Sequence, residues 1–138
     1  MKKTVCFILL TFTLLNAKEF NTPMKTYMEG LSTEAKAANP SFSGFDAKRG
    51  ETLFVSKHTG KKGGEMSCTT CHSTNLKNGG QNVNTNKPIT ALAPSVNPTR
   101  LTDVAEVEKW LRRNFNDVFA REGVALEKGD VLTYIINQ

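Results

Sequence analysis

An all-α fold of about four helices packed around one centre is predicted by three observations. Apolar residues recur at three- and four-residue steps in four separate stretches, and no stretch before Ser67 alternates with the period of a strand. The helical stretches are joined by long polar connections rich in Asn, Thr, Gly and Pro. Among these connections lies Ser67-Cys68-Thr69-Thr70-Cys71-His72-Ser73, which places two thiols and an imidazole side by side.

In chain order, Met1-Lys2-Lys3 precedes an apolar run from Val5 to Leu15, interrupted by threonines, and then Asn16-Ala17 and the charged Lys18-Glu19. A basic start, a short apolar stretch and a small residue at the cleavage point describe a secretory signal peptide over 1–17. The run is shorter than the roughly 20 residues that span a bilayer; a retained anchor is the competing reading. An N-terminal helix and linker are expected over 18–44, and the main domain over 45–138. Pro23 suits a first helical turn, and Met24, Tyr27/Met28, Leu31, Ala35 and Ala38 continue the period until Asn39-Pro40 ends it. A second short helix starts at the N-cap candidate Asp46 and runs through Gly50 and Phe54 to about Lys57. Residues 58–64 are a Gly/Lys turn. Residues 74–98 are a long polar loop, unusual unless something organises it. Asp103, with Glu106 three residues on, starts a helix reaching about Phe119. Gly123 interrupts, and a last helix covers about Leu126 to Ile136, with Val131, Leu132, Ile135 and Ile136 as core. Gly50 permits a close helix approach, so the Gly50/Phe54 helix and the Tyr134-bearing helix are the pair expected to cross.

The chain has 138 residues, enough for one domain, and a formal charge of +5. Loss of 1–17, with two lysines and no acid, leaves 121 residues and a charge of +3. That is too little to suggest nucleic-acid binding. Lys57, Lys61, Lys62, Lys77 and Lys87, against the single acid Glu65, form either a solvated loop surface or a ring for docking an acidic partner.

Cys6 leaves with the signal, so the exported chain keeps Cys68 and Cys71. Such a pair is a disulfide, a zinc half-site, a redox dithiol or a haem attachment. A structural zinc site needs four ligands, and His72 beside Cys71 is poor chelate geometry. A redox dithiol sits in a βαβ context, which is absent here. Haem attachment needs only export and the following histidine. Two cysteines two residues apart match the two vinyl groups of one porphyrin edge, and His72 turns under the plane to bind iron through Nε2. Its other nitrogen donates to a backbone carbonyl, for which Pro94 is the candidate.

The sixth iron position is the open question. Small soluble cytochromes usually use a methionine well downstream of the attachment motif, but here the methionines are 1, 24, 28 and 66, and the only other histidine is His58. A methionine-ligated electron carrier is therefore disfavoured. Met24 and Met28 suit helix core, Met66 is too near Cys68 to reach the opposite face, and His58 lies in a polar turn. Asn114 falls on the apolar stripe Val104, Val107, Leu111, Val118, flanked by Trp110 and Phe115. A buried carboxamide without a partner costs about 1–3 kcal/mol. Iron would compensate it, as would a hydrogen bond to backbone or to a haem propionate; an unfilled sixth position is a further alternative.

The stretch Ser67–Phe119 resembles the SHP-type (sphaeroides haem protein) cytochromes c: SCxxCH, the T-x-K-x-I-x-x-L-A-P-S loop, R-x-T-D, V-E-K-W-L and R-N are shared, and EKGDVLTYI near the end also fits. The resemblance covers about Gly50 to Ile135. It implies a class I cytochrome c-like fold with one haem c, covalent bonds at Cys68 and Cys71, His72 as proximal ligand and Asn114, which follows the arginine of R-N, as distal ligand, with Trp110 of V-E-K-W-L beside the cofactor. It further implies loss of the asparagine on reduction, leaving high-spin ferrous iron able to bind O2, NO or CO, and electron donation by a dihaem cytochrome c or a membrane cytochrome b. Some relatives carry a disulfide just after the ligand; Phe115 and Gly123 stand at those places. The expectation is a periplasmic monomer without stable membrane insertion. A plain electron carrier and a small-molecule redox enzyme at the open iron are the rivals.

Overall fold

The computed structural model describes residues 19–138, so the expected signal peptide at 1–17 lies outside the described residues. Helix α1 (Thr22–Ala38) begins where Asn21 Oδ1 accepts the Met24 N–H at 3.0 Å and has proline in its first turn. Its buried face is Met24, Leu31 and Ala35, the three- and four-residue stripe read from the sequence. That face packs mainly on the last helix, so the N-terminal segment shares the common core. The Asn21 side-chain amide also donates to the Thr102 carbonyl at 2.8 Å, tying the start of α1 to the approach of the ligand-bearing helix.

Helix α2 (Ala47–Val55) is capped by Asp46, whose Oδ1 accepts the Arg49 N–H at 2.7 Å. It crosses α5 (Ala125–Ile136) at Gly50. A Cβ at Gly50 would lie 2.1 Å from the Asp130 carbonyl oxygen, so only glycine lets the two backbones meet. Phe54 fills the space beside the crossing, its ring 5.6 Å from that of Tyr134. The crossing is pinned by Asp130, only 4% exposed: it accepts from Arg49 Nε and Nη2 at 2.8 and 2.9 Å and from the Asp46 N–H at 2.7 Å.

Between α2 and the long helix α4 (Val104–Phe119) lie two small hairpins and a helical turn that the sequence did not announce. Strands β1 (His58–Thr59) and β2 (Glu65–Met66) pair antiparallel, as do β3 (Gly80–Gln81) and β4 (Pro88–Ile89), and α3 (Thr69–His72) is a single turn. Two-residue strands carry no alternation to read. The polar loop is organised by β3–β4 and by Leu76 and Ala93, both buried and joined by Ala93 N–H to Leu76 O at 2.9 Å.

Two details differ from the sequence expectation. Asp103 caps α4 by accepting the Glu106 N–H, but Glu106 turns away to Lys109 and Trp110, so the reciprocal half of the capping box is not made. Helix α4 ends at Phe119, as the sequence led one to expect, with Ala120 as its C-cap in the left-handed region at φ 53°, so Gly123 is not needed to stop it. Gly123 serves packing instead: the Phe115 ring lies on it, 2.8 Å from where a Cβ would stand. Phe115, expected at the flank of the stripe, is for that reason core, 4% exposed.

Candidate haem site

Helix α3 folds the attachment motif into one turn. The Cys71 and His72 N–H groups both donate to the Cys68 carbonyl, at 3.2 and 3.0 Å, bringing the cysteines to one side. Ser67 prepares the turn: its N–H donates to Thr70 Oγ1 at 2.9 Å, and its hydroxyl pairs with Thr69 Oγ1 at 2.6 Å. Gly80 seats β3 against the end of α3 so tightly that a Cβ would be 1.9 Å from the Cys71 carbonyl oxygen. Cys68 and Cys71 are not joined in a disulfide. Burial, with the neighbouring Cys71, pushes the Cys68 thiol up to about 12, so it stays protonated until it reacts. Among the described residues no group of three or more His, Cys, Asp or Glu side chains is placed to hold a metal ion.

His72 and Asn114, 42 residues apart, are brought face to face: Asn114 Nδ2 lies 3.4 Å from His72 Nε2. Burial, and then the Arg100 charge, hold the imidazole down at about 4, so it is neutral with a lone pair to give. Two cavities, of about 240 and 700 Å³, are both lined by this pair. Cys68, His72, Leu92, Arg100, Trp110 and Asn114 line both. Phe54, Leu111, Phe115 and Leu132 make the smaller one apolar, while Asn82, Thr85 and Lys87 give the larger a polar mouth. A flat macrocycle with polar edges, threaded between an imidazole and a carboxamide and bonded at its rim to two thiols, fits these residues.

The other candidates fall elsewhere. Met24 is fully buried in the core, and neither it nor Met28 lines a cavity. The His58 ring packs on Phe119 at 4.3 Å, its Nε2 pairs with Ser56 Oγ, and it lines neither cavity. Met66 borders the larger cavity on the Cys68 side. Trp110 is 43% exposed at the rim, its Nε1–H donating to Glu106 Oε2 at 2.9 Å. The expected bond from His72 Nδ1 to the Pro94 carbonyl is not made: Nδ1 is buried without a partner, and Pro94, fully buried, lines neither cavity. Arg100 was missed by the sequence reading. It lines both cavities and spends Nε and Nη2 on Ala91 and Thr90; its sequence signals are its place at the head of R-x-T-D and a lone charge in the neutral stretch 88–102.

Comparison with known proteins agrees with this geometry. A family model described as a domain of unknown function, DUF1924, matches residues 40–135. The cytochrome c-type protein SHP of Cereibacter sphaeroides is 47% identical over 105 residues, which is 76% of this chain and 78% of that one. Cytochrome c'' of Methylophilus methylotrophus is 33% identical over 104 residues, covering 75% and 72%. Among solved structures, oxidized SHP, described as an oxygen binding cytochrome c, superposes with a TM-score of 0.72 at 40% identity, over 83% of this chain and 96% of that one. Oxidized cytochrome c'' from the same Methylophilus gives 0.74 at 30% identity, over 85% and 95%. With the thiol pair, the buried imidazole and the cleft around them, this likeness over most of both chains places the protein in the SHP family of monohaem c-type cytochromes, with haem c as its cofactor.

Proposed function

We propose that this chain is an exported electron-transfer cytochrome with a His72/Asn114 axial pair, in which Asn114 is released on reduction and a diatomic gas, O2, NO or CO, takes its place. The observation that carries this is the meeting of His72 Nε2 and the Asn114 carboxamide at 3.4 Å. Haem iron supplies a one-electron couple and, when one ligand short, a position for such a gas. His72 contributes a neutral imidazole, kept so by burial. Asn114 contributes an uncharged, hard amide, suited to the ferric state and poorly to the softer ferrous one. Leu111 and Phe115 keep the approach on the smaller-cavity side dry, and Val118 borders the larger one. The oxygen binding ascribed to SHP and the haem-ligand detachment ascribed to cytochrome c'' support the same reading.

Electrons enter from a dihaem cytochrome c or a membrane cytochrome b. Lys57 is paired with Glu65 at 2.7 Å and Lys62 donates to Asn84 at 2.8 Å, which leaves Lys61, Lys77 and Lys87 as the docking charges of a monomer. No helix among the described residues is long and apolar enough to cross a membrane, in keeping with a periplasmic protein exported by residues 1–17. The ligand assignment is tested by Asn114→Ala. The ferric variant is expected to show five-coordinate or water-bound high-spin haem; an unchanged low-spin spectrum refutes Asn114 as the ligand.

A further inference from the structure

The β1–β2 hairpin joins the two halves of the site. Strand β2 runs directly into Ser67 and Cys68, while the start of the hairpin packs on the last turn of α4, just past Asn114. Three contacts make the joint. The Lys61 N–H donates to the Asp117 carbonyl at 3.0 Å, taking one of the last-turn carbonyls that α4 cannot satisfy itself. Gly60 is buried against the same carbonyl; a Cβ there would stand 2.7 Å from Asp117 O and 2.9 Å from Met66 Sδ. The His58 ring covers Phe119 at 4.3 Å. The hairpin is closed by Gly60 N–H to Gly64 O and Gly63 N–H to Gly60 O, both 2.8 Å, with Gly63 at φ 84°.

We infer that the 58–66 hairpin is a clasp that positions Asn114, with Gly60 and the Lys61 N–H as its positioning groups. This rests on Asn114 being a ligand. Asp117 lies three residues beyond Asn114, within one helical turn, so anything that moves the Asp117 carbonyl moves the carboxamide. The far end of α4 is fixed by the Asp103 cap and by the Asn21 bond to Thr102. At the near end the clasp ties α4 to the chain segment that carries Cys68, so both ligands are referred to one rigid piece. A weak donor has little bond strength to pull its helix into place, and its occupancy therefore depends on this pre-positioning.

The test compares the holoprotein with Gly60→Ala, Lys61→Pro and Lys61→Ala, reading ferric spin state by absorption and electron paramagnetic resonance, with far-ultraviolet circular dichroism to establish the fold. Gly60→Ala and Lys61→Pro are expected to raise the high-spin to low-spin ratio about three- to tenfold, the size of one lost hydrogen bond. Lys61→Ala keeps the N–H and leaves the ratio at the wild-type value. In an Asn114→Ala background, Gly60→Ala adds no further change. Should Gly60→Ala not fold, Lys61→Pro, which removes the N–H and also fixes φ at 61, decides, with Lys61→Ala as the control that keeps the donor. Folded variants with the wild-type ferric spin state overturn the clasp, whereas a low-spin ferric Asn114→Ala protein overturns the ligand assignment beneath it.

Discussion

Arg49→Met should lower the stability of the holoprotein by about 2–3 kcal/mol. The Asp130 carboxylate is 4% exposed and has three donors, two of them on Arg49 and the third the Asp46 N–H. Methionine matches the length of the aliphatic stem but leaves a buried anion with one donor. Removing one member of a fully buried pair costs about 3–5 kcal/mol. The Arg49 side chain is 50% exposed, so water reaches that side and the lower figure is expected. Asp130→Asn removes the charge along with the need for it, and should cost only about 1–2 kcal/mol. Starting from Asp130→Asn, adding Arg49→Met should then cost less than it does in the wild type. Urea unfolding of the ferric protein, followed by far-ultraviolet circular dichroism, measures all four forms. A loss under about 0.5 kcal/mol for Arg49→Met, within the range of ordinary surface substitutions, would show that close packing at Gly50 holds α2 on α5 without the ion pair.

Gly80→Ala should cut the yield of covalently loaded protein, because its Cβ meets the Cys71 backbone and nothing flexible is there to yield; haem staining after denaturing electrophoresis reads this, and full loading would refute the close packing. Glu127 is held below its ordinary value chiefly by its hydrogen bonds to Arg121, with burial opposing. A depressed carboxyl contributes stability above its unfolded value of about 4.3 and loses it as pH falls through the folded one. Glu127→Gln should therefore cost about 1 kcal/mol at pH 7, with the gap to wild type closing as pH drops towards 3; a gap independent of pH would contradict the ion pair.

The four longer helices were legible because each carries its own periodic face, and Gly50 with Tyr134 foretold the α2–α5 crossing. The hairpins were not, since their strands are two residues long and carry no alternation to read. Cys68, Cys71 and His72 could be read from spacing alone. Asn114 stood out as a carboxamide on an apolar stripe, although its meeting with His72 depends on how α4 lies over α3. Phe115 and Arg100 show what periodicity misses. The first is drawn into the core by a glycine eight residues away, and the second reaches both cavities from a loop without period. Pro94 was placed as a partner for His72 by chemistry, but His72 Nδ1 is buried without a hydrogen-bond partner.

Ligand exchange at the iron is tested most directly by the spectrum of the reduced protein with and without carbon monoxide. It predicts a ferric low-spin protein that becomes high-spin on reduction and then shifts sharply to a low-spin spectrum on adding the gas. A reduced protein with a narrow six-coordinate low-spin α band that carbon monoxide leaves unchanged would contradict it.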